Sequence, residues 1–526
     1  KKKIEGSASI NLLTGSLTVE GPLVKDKTSF ILSGRTTYSD WILKQLPERS
    51  GYRDGSAGFY DLNLLANHVF DAYNALYLSL YNSRDRFAFD RDNRYSYRNA
   101  NASVRWRHSY NSFLSSMIAA GYDHYDYDTE NTANPVTAYT LSFGINQYYA
   151  KAGFTYYPDG RHTLDFGFNG VSYNLNPGRY LPSGDESLVN GVHMRSDRAL
   201  ETALYLSDRW EVTSRLGVDL GVRYSMFNAL GMRAATYHGP EYRVSARYEF
   251  IPGASVKAGY NTMRQNIHKL SNTTIMSPTD TWKLSDTYIK PQTGSQTAIG
   301  LYKTFGGAIE ASVEAYLKQA DNYPDYRTGA QLLMNEHIER DILATQMRAY
   351  GIEFMIRKAQ GRLSGWLSYT YSRAELRQGD PSIASPVNDG NRYAADYDKP
   401  HEVKMVAHYR FTHRYGISVN CDYSTGRPIS LPASKFNYAG GEFIYYSGRN
   451  KYRIDDFFRL DFSFNIEPSH HLTLLTHSTV VLGVYNLTGR RNAYSVYYIA
   501  EKGELKGYRL AIFGMPVPYV SYNIKF

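Results

Sequence analysis

Asn322, Tyr323, Asp325, Tyr326 and Arg327, grouped around Pro324, are the residues best suited to hold a solute. Phenol rings give wide contact at low entropic cost, and the carboxylate and guanidinium fix orientation. Trp282 with Tyr288 forms a second such group. Aromatics at strand ends also make the interfacial girdle of membrane barrels, so recognition and anchoring both stay open at this point. No catalytic signature is present. His124 with Asp123, Asp126 and Asp128, in DHYDYD, has cation-binding groups but reads as a solvated strand end. Asp90, Asp92 and Asn93 suggest a calcium loop, yet its sixth and twelfth positions would be Tyr95 and Asn101, where a Gly and a Glu are required. Adjacent His470 and His471 would point to opposite faces of a strand. No catalytic residue, metal or cofactor is therefore expected.

The elements that must position these groups are strands. The 526 residues include 49 Tyr and 42 Gly, with aromatics at 15%, and mean hydropathy is −0.47. A transmembrane barrel alternates lipid-facing and lumen-facing residues, so its average hydropathy stays low. No run of eighteen apolar residues exists that would make a membrane helix. The nearest, Val480 to Leu487, is short and interrupted by Gly483, Tyr485 and Asn486. One cysteine, Cys421, excludes an internal disulfide framework. The net charge of +9 is spread along polar strand faces, which suits a basic lumen or a rim meeting anionic headgroups and not nucleic acid. Lys1-Lys2-Lys3 leads straight into strand-like sequence, so the chain is expected to be a mature product or part of a longer one.

Alternation runs from end to end. Leu216, Val218, Leu220, Val222, Tyr224 and Met226 alternate with small or polar residues, and the same holds from Ile309 to Lys318 and from Phe458 to Ile466. A Lys or Arg facing lipid at mid-bilayer costs roughly 2–4 kcal/mol, so mid-strand charges must face a polar lumen. That assigns to the lumen Arg223, Arg243, Arg247, Glu249, Glu310, Glu314, Lys404, Arg410, Arg459 and Asp461. Marking each run gives about 22 strands. Tight turns fall near Asp159-Gly160, Pro252-Gly253, Gly306-Gly307 and Gln360-Gly361, with compact ones near His108 to Asn111, Thr412 to Arg414 and Pro468 to His471. Longer segments lie between them: Ser39 to Ser56, Asn176 to Ser196, Gln265 to Lys290, Asn322 to Ile342, Ala374 to Asp398 and Gly426 to Lys451. The chain ends on an alternating strand with Pro518, Val520, Tyr522 and Ile524 on one face and Phe526 last, the form of a barrel assembly signal. The expected fold is all-β: one domain, residues 1–526, an antiparallel transmembrane barrel with long extracellular loops and short periplasmic turns. A soluble propeller or β-helix fits less well, because apolar faces recur on strand after strand.

Several phrases carry a resemblance. They are QNIHKLSNTTIMSPTDTWKLSDTYIKPQT at 265–293, DKPHEVKMVAHYRF at 398–411, YSTGRPIS at 423–430, VYNLTGRRNAYSVYY at 484–498 and FGMPVPYVSYNIKF at 513–526. In order and spacing the chain resembles the barrel of TonB-dependent outer-membrane receptors, specifically the Bacteroidetes type with a carboxypeptidase-regulatory-like domain before its plug. The resemblance implies a 22-stranded barrel with a plugged lumen, and import of a nutrient solute bound by the extracellular loops. Implied partners are a plug domain, which no segment of this chain matches, the TonB-ExbB-ExbD energy-transducing complex, outer-membrane lipid and lipopolysaccharide, and a surface lipoprotein. Ile4 to Leu12 and Gly15 to Pro22 resemble the start of the family's barrel. The alternative is a plugless passive pore, or a structural barrel of a larger assembly. Iron chelates, cobalamin, glycans and peptides all occur as solutes in the family, and no loop here selects among them.

Overall fold

The computed structural model describes residues 3–44, 55–88, 92–270, 281–327, 330–380, 383, 385–438, 441–468, 477–501, 504–511 and 514–526. Its main sheet has 24 strands, of which Val192–His193 and Tyr393–Ala394 are two-residue additions, leaving 22 in the wall. In chain order the wall begins with β1 (Glu5–Asn11), β2 (Thr14–Val24), β3 (Thr28–Thr37), β4 (Ser56–Val69), β5 (Asn74–Ala88), β6 (Asn93–Ser109) and β7 (Leu114–Asn131). It continues with β8 (Tyr139–Tyr156), β9 (His162–Pro182), β10 (Asp197–Glu211), β11 (Leu216–Leu230), β12 (Ala235–Ile251), β13 (Ala254–Gln265), β14 (Gln292–Phe305) and β15 (Ile309–Tyr326). The last seven are β16 (Ile342–Lys358), β17 (Leu363–Arg377), β18 (His401–Arg410), β19 (Tyr415–Ser424), β20 (Phe457–Ile466), β21 (His477–Tyr485) and β22 (Val517–Lys525).

Each strand pairs antiparallel with its chain neighbours, and β22 closes on β1 with Ile524 opposite Ala8 and Tyr522 opposite Ile10. The terminal residue takes part in the closure. Phe526 exchanges backbone hydrogen bonds with Gly6, at 2.7 and 2.9 Å, and its ring fills the space a side chain on residue 6 would need. Closure leaves no unpaired edge, which is what lets a sheet stand in lipid. Alternation places the residues. On β11, Leu220, Val222, Tyr224 and Met226 are exposed, while Ser225, Phe227 and Ala229 between them are buried.

The connections fall into two sets. Residues 25–27, 70–73, 110–113, 157–161, 212–215, 252–253, 306–308, 359–362 and 411–414 turn at the lower rim, with both chain ends. Residues 12–13, 38–55, 89–92, 132–138, 183–196, 231–234, 266–291, 327–341, 378–400, 425–456 and 486–516 connect strands at the upper rim, so short connections occur on both sides and the long ones only above. The turns expected at 159–160, 252–253, 306–307, 360–361 and 412–414 fall in the lower set, and the one read at 108–111 shifts to 110–113. Residues 469–471 of the remaining one lie outside the described residues. The only α-helix among the described residues is four residues long, Asp40–Leu43.

Several expected loops are partly strand, two of them because a tall wall strand runs on into the segment. β9 runs on to Pro182, and β15 runs through Asn322, Tyr323, Pro324 and Asp325 to Tyr326. Pro324 reads as a strand breaker because it cannot donate a ladder hydrogen bond. Here a bulge between Ala320 and Tyr323, with Asn322 at φ 56, resets the register so that pairing with β16 resumes to Tyr326 opposite Ile342. Strand height differs around the wall. β9 has 21 residues and β7, β8 and β15 have 18, against 9 or 10 for β18 to β22. A membrane crossing needs about 9–11 residues, so the tall strands stand well beyond the bilayer. The buried apolar clusters sit at this raised rim.

Candidate solute site at the upper rim

Two connections fold inward. From β13, the hairpin of Ile267–Leu270 and Thr281–Leu284 packs Leu284 against Leu175, Ala199 and Phe227 of β9, β10 and β11. From β15, residues 330–341 bury Leu332 and Ile338 against Leu270 and Tyr326, and the Thr281 hydroxyl donates to the Leu332 carbonyl at 3.1 Å. The same segment sends Leu333 and Met334 onto Tyr127, Leu141 and Phe143 of β7 and β8. Met334, at φ 50, packs its sulfur into the space left open by Gly178.

Between these segments lies a cavity of about 800 Å³. Arg195, Arg198, Arg233, Lys283 and His337 line it with Asp197, Asp286 and Glu336. Lys283 Nζ is 2.6 Å from Asp197, 86 residues away in sequence, and 3.1 Å from Asp286, three residues away. Arg233 Nη1 reaches Glu339 at 2.9 Å and Asp286 at 3.9 Å, its Nη2 donates to the Glu336 carbonyl at 3.0 Å, and its guanidinium lies 5.6 Å from the Tyr288 ring centre. Asp286 Oδ1 accepts from the N–H groups of Tyr288 and Ile289 at 2.8 and 2.9 Å, which makes the turn that presents Tyr288. Beneath the cavity His268 is fully buried, its Nε2 2.8 Å from the Ser285 hydroxyl and its Nδ1 3.0 Å from Gln292. Burial pushes the imidazole from its ordinary 6.5 down to about 4, so at neutral pH it is uncharged.

The other side of the rim is built from paired carboxylates. Asp325, 7% exposed, takes Arg449 Nη1 at 2.5 Å and the Tyr393 hydroxyl, while the Arg449 guanidinium stacks 4.3 Å from the Tyr326 ring centre. Burial, then the neighbouring Asp325 charge, push the Tyr393 phenol above its usual range, so it stays a donor. Asp398 accepts from the Ala374 N–H at 2.6 Å and is paired with Arg453, with Arg373 Nε at 3.6 Å. Arg453 Nη1 also donates to the Asp398 and Gly426 carbonyls at 2.8 and 2.9 Å. Asp456 takes the Gly426 N–H at 2.9 Å and the Tyr423 hydroxyl at 2.8 Å; these bonds, the backbone one foremost, hold its carboxyl below the usual range. Connections 378–400 and 425–456 are thereby tied to each other and to β15, β17 and β19.

The solute candidates thus divide. Trp282 lines the cavity, whereas Tyr288, 63% exposed, stands outside the lining and meets it only through its contact with Arg233. Asn322 donates to the Pro291 carbonyl at 3.0 Å, Tyr323 packs on the cluster of Met347 and Leu376, Asp325 and Tyr326 are buried in the tied side, and the Arg327 N–H donates to Asp341. Of the charged strand residues, Arg223 lies 3.8 Å from both Glu201 and Glu241, Arg247 3.8 Å from Glu249, Glu310 3.9 Å from Arg357, Lys404 3.2 Å from Glu402 and Arg459 3.0 Å from Asp461. Arg243 stands opposite Gly221, Glu314 opposite Gly300 and Glu353, and Arg410 ends β18 at the lower rim. His124 bonds Asp126 and Asn146, and Asn93 accepts from Asn131; among the described residues no group of three acidic, His or Cys side chains could hold a metal. Asp90, His470 and His471 lie outside the described residues. Sequence reasoning missed Arg233, Lys283, Asp286, Glu339, Arg449 and Asp398. Most of their partners are tens of residues away, and only the Lys283 to Asp286 spacing was visible.

A closed 22-stranded antiparallel barrel, apolar outside and charged within, defines an outer-membrane β-barrel of the receptor and transporter class. The chain belongs to the family described as TonB dependent receptor-like, beta-barrel, whose model matches residues 37–487. It is therefore an outer-membrane protein of a family of receptors and transporters, not enzymes. The fold is similar to BauA, the ferric preacinetobactin receptor of Acinetobacter baumannii, with TM-score 0.69 and 14% identity over 99% of this chain and 79% of that one. The unliganded ferric citrate transporter FecA gives 0.69 and 15% over 99% and 78%. The copper transporter OprC gives 0.67 and 11% over 99% and 82%. No curated protein sequence is detectably similar to this chain.

Proposed function

We propose that this barrel is the membrane wall of an active importer whose upper, extracellular rim holds an anionic nutrient solute. The cavity between the inward-folded segments carries the reading. Arg195 and Arg198 join Arg233 and Lys283 there, while Asp197 and Asp286 are already engaged by Lys283. Trp282 and Tyr288 supply flat contact surface, and Asn322, Tyr323, Asp325, Tyr326 and Arg327 belong to the strand end and connection that carry the inward segment 330–341. An anionic chelate is the solute class that fits, in line with the ferric preacinetobactin and ferric citrate for which BauA and FecA are the receptor and transporter. The charged rows from Arg223 to Asp461 give a plug domain a polar surface to sit against. That plug, from the same longer chain or another, would be displaced through TonB-ExbB-ExbD. The Bacteroidetes type, its carboxypeptidase-regulatory-like domain and a surface lipoprotein belong to the same proposal.

The test uses ferric citrate, a ferric catecholate and free copper(II) as probes. Saturable binding of a ferric chelate that is lost in Arg233→Gln, and uptake that stops when the proton gradient is dissipated, is the expected result. Uptake indifferent to the gradient would make the barrel a passive pore.

A further inference from the structure

On the outward face of the wall, just above the lipid-facing residues, Arg84 of β5 stands directly opposite Arg98 of β6. Like charges directly opposite on a sheet repel, with Cβ atoms about 4.5–5.5 Å apart. Arg86 follows on the same face of β5. Among the described residues none of the three is within ion-pair distance of a carboxylate. Arg84 Nε donates to Ser96 at 3.2 Å, and Asp126, opposite Arg98 on β7, is engaged by His124 at 2.8 Å. Arg94, two outward positions higher on β6, is 3.7 Å from Glu130. Below this patch the outward residues become Leu80, Val104 and Ile118, all exposed and apolar, with Tyr60 and Tyr122 at the boundary.

A second feature meets the first. An apolar groove of about 780 Å³ runs along the outward face from the closing seam to β4, between Tyr522 and Ile524 at one end and Tyr60 and Leu62 at the other. Its floor is low because Ala8, Gly15 and Gly34 carry little or no side chain. The strand register links groove and arginines. Tyr522 pairs with Ile10, Ile10 with Gly15, Gly15 with Thr36, Thr36 with Tyr60, Tyr60 with Arg84 and Arg84 with Arg98. Barrel strands tilt by about 35–45°, so a row of paired residues climbs across the membrane. Tyr522 and Ile10 stand three and five residues above the lower ends of β22 and β1, and Arg84 and Arg98 ten and eleven above those of β5 and β6, so the row climbs from the seam to the arginines.

We infer that the groove and the Arg84–Arg98 pair form one binding site for a phosphate-bearing lipid of the outer leaflet, an acyl chain in the groove and a phosphate across the two guanidiniums. Arginine forks match phosphate oxygens two at a time, and the anion relieves the repulsion between the pair. An apolar trough leading to paired cations fits an amphiphile and gives a soluble anion nothing to bind below the arginines.

The native protein, reconstituted in nanodiscs with bisphosphorylated lipid A or its dephosphorylated form, is released and weighed with its retained lipid by native mass spectrometry. The phosphorylated lipid is expected to be retained. Arg84→Gln with Arg98→Gln should lower its occupancy about tenfold or more, the loss of charge-assisted hydrogen bonds, and Gly34→Leu should lower it by filling the trough. Arg209→Gln, on the lumen face, should leave it unchanged, and the heat-modifiable gel mobility of each variant checks that the barrel has formed. Equal retention of the dephosphorylated lipid, unchanged retention in both the double arginine and the Gly34 variants, or displacement by inorganic phosphate alone would overturn the assignment.

Discussion

The two sides of the upper rim use charge differently. Around Asp325, Asp396, Asp398 and Asp456 every carboxylate is met by an arginine, a phenol, an amide or a backbone N–H, and the connections from 378 to 456 are tied to the strands. Around the cavity Arg233 divides its charge between Glu339 at 2.9 Å and Asp286 at 3.9 Å, and Arg195 and Arg198 line open space. A charge that is buried and fully hydrogen-bonded acts as a fastener, and removing one partner costs more than the pair contributes. A charge left half-exposed beside a cavity is free to exchange its partner for a solute. Fasteners and recognition groups are thus the same residue types, separated by how completely each is satisfied.

Asp398→Ala is the strongest way to break this contrast. It strands Arg453 and the Ala374 N–H, and should cost about 3–5 kcal/mol locally, read as rapid proteolysis within 378–400 and 425–456 while 281–341 stays protected. Acidification should act on the opposite side. His268 is neutral when folded and its pKa is depressed to about 4, so its contribution is complete above 6.5 and is lost as pH falls toward 4. At full loss this is about 3 kcal/mol. Hydrogen exchange of the 267–284 hairpin should therefore accelerate below pH 6, and His268→Gln should flatten that dependence. Tyr393→Phe removes a buried donor to Asp325 and should cost about 1.5–3 kcal/mol, visible as faster exchange in β15 beyond Asn322. Arg233→Gln should be the mildest for stability, about 1 kcal/mol or less, yet weaken the ferric chelate at least tenfold. A large loss of stability with unchanged binding would place Arg233 among the fasteners.

Much of the wall was legible in the sequence. Alternation on β11, β15 and β20 reads directly from residue order, because a pleated strand has period two wherever it stands. The terminal strand was equally plain, and Phe526 does close the barrel on Gly6. The stretch around Pro324 misled. A proline and a cluster of polar aromatics are loop signals, and only the bulge at Asn322, whose value depends on the partner strand, turns them back into a strand. At the upper rim, Trp282 and Tyr288 stand out in the sequence by residue type, whereas Arg233 and Glu339 are 106 residues apart and carry no local mark of their pairing.

The sequence by itself determined that this chain is a membrane barrel of about 22 strands and which face of each strand meets lipid, because both follow from local periodicity and from the cost of charge in hydrocarbon. Only the tertiary structure decided which charges are fasteners and which border the cavity. It also decided that the outward arginines of β5 and β6 sit at the end of an apolar groove beginning at the chain's last strand. Those facts depend on strand register and closure, which bring together residues hundreds of positions apart, and no window of sequence contains them.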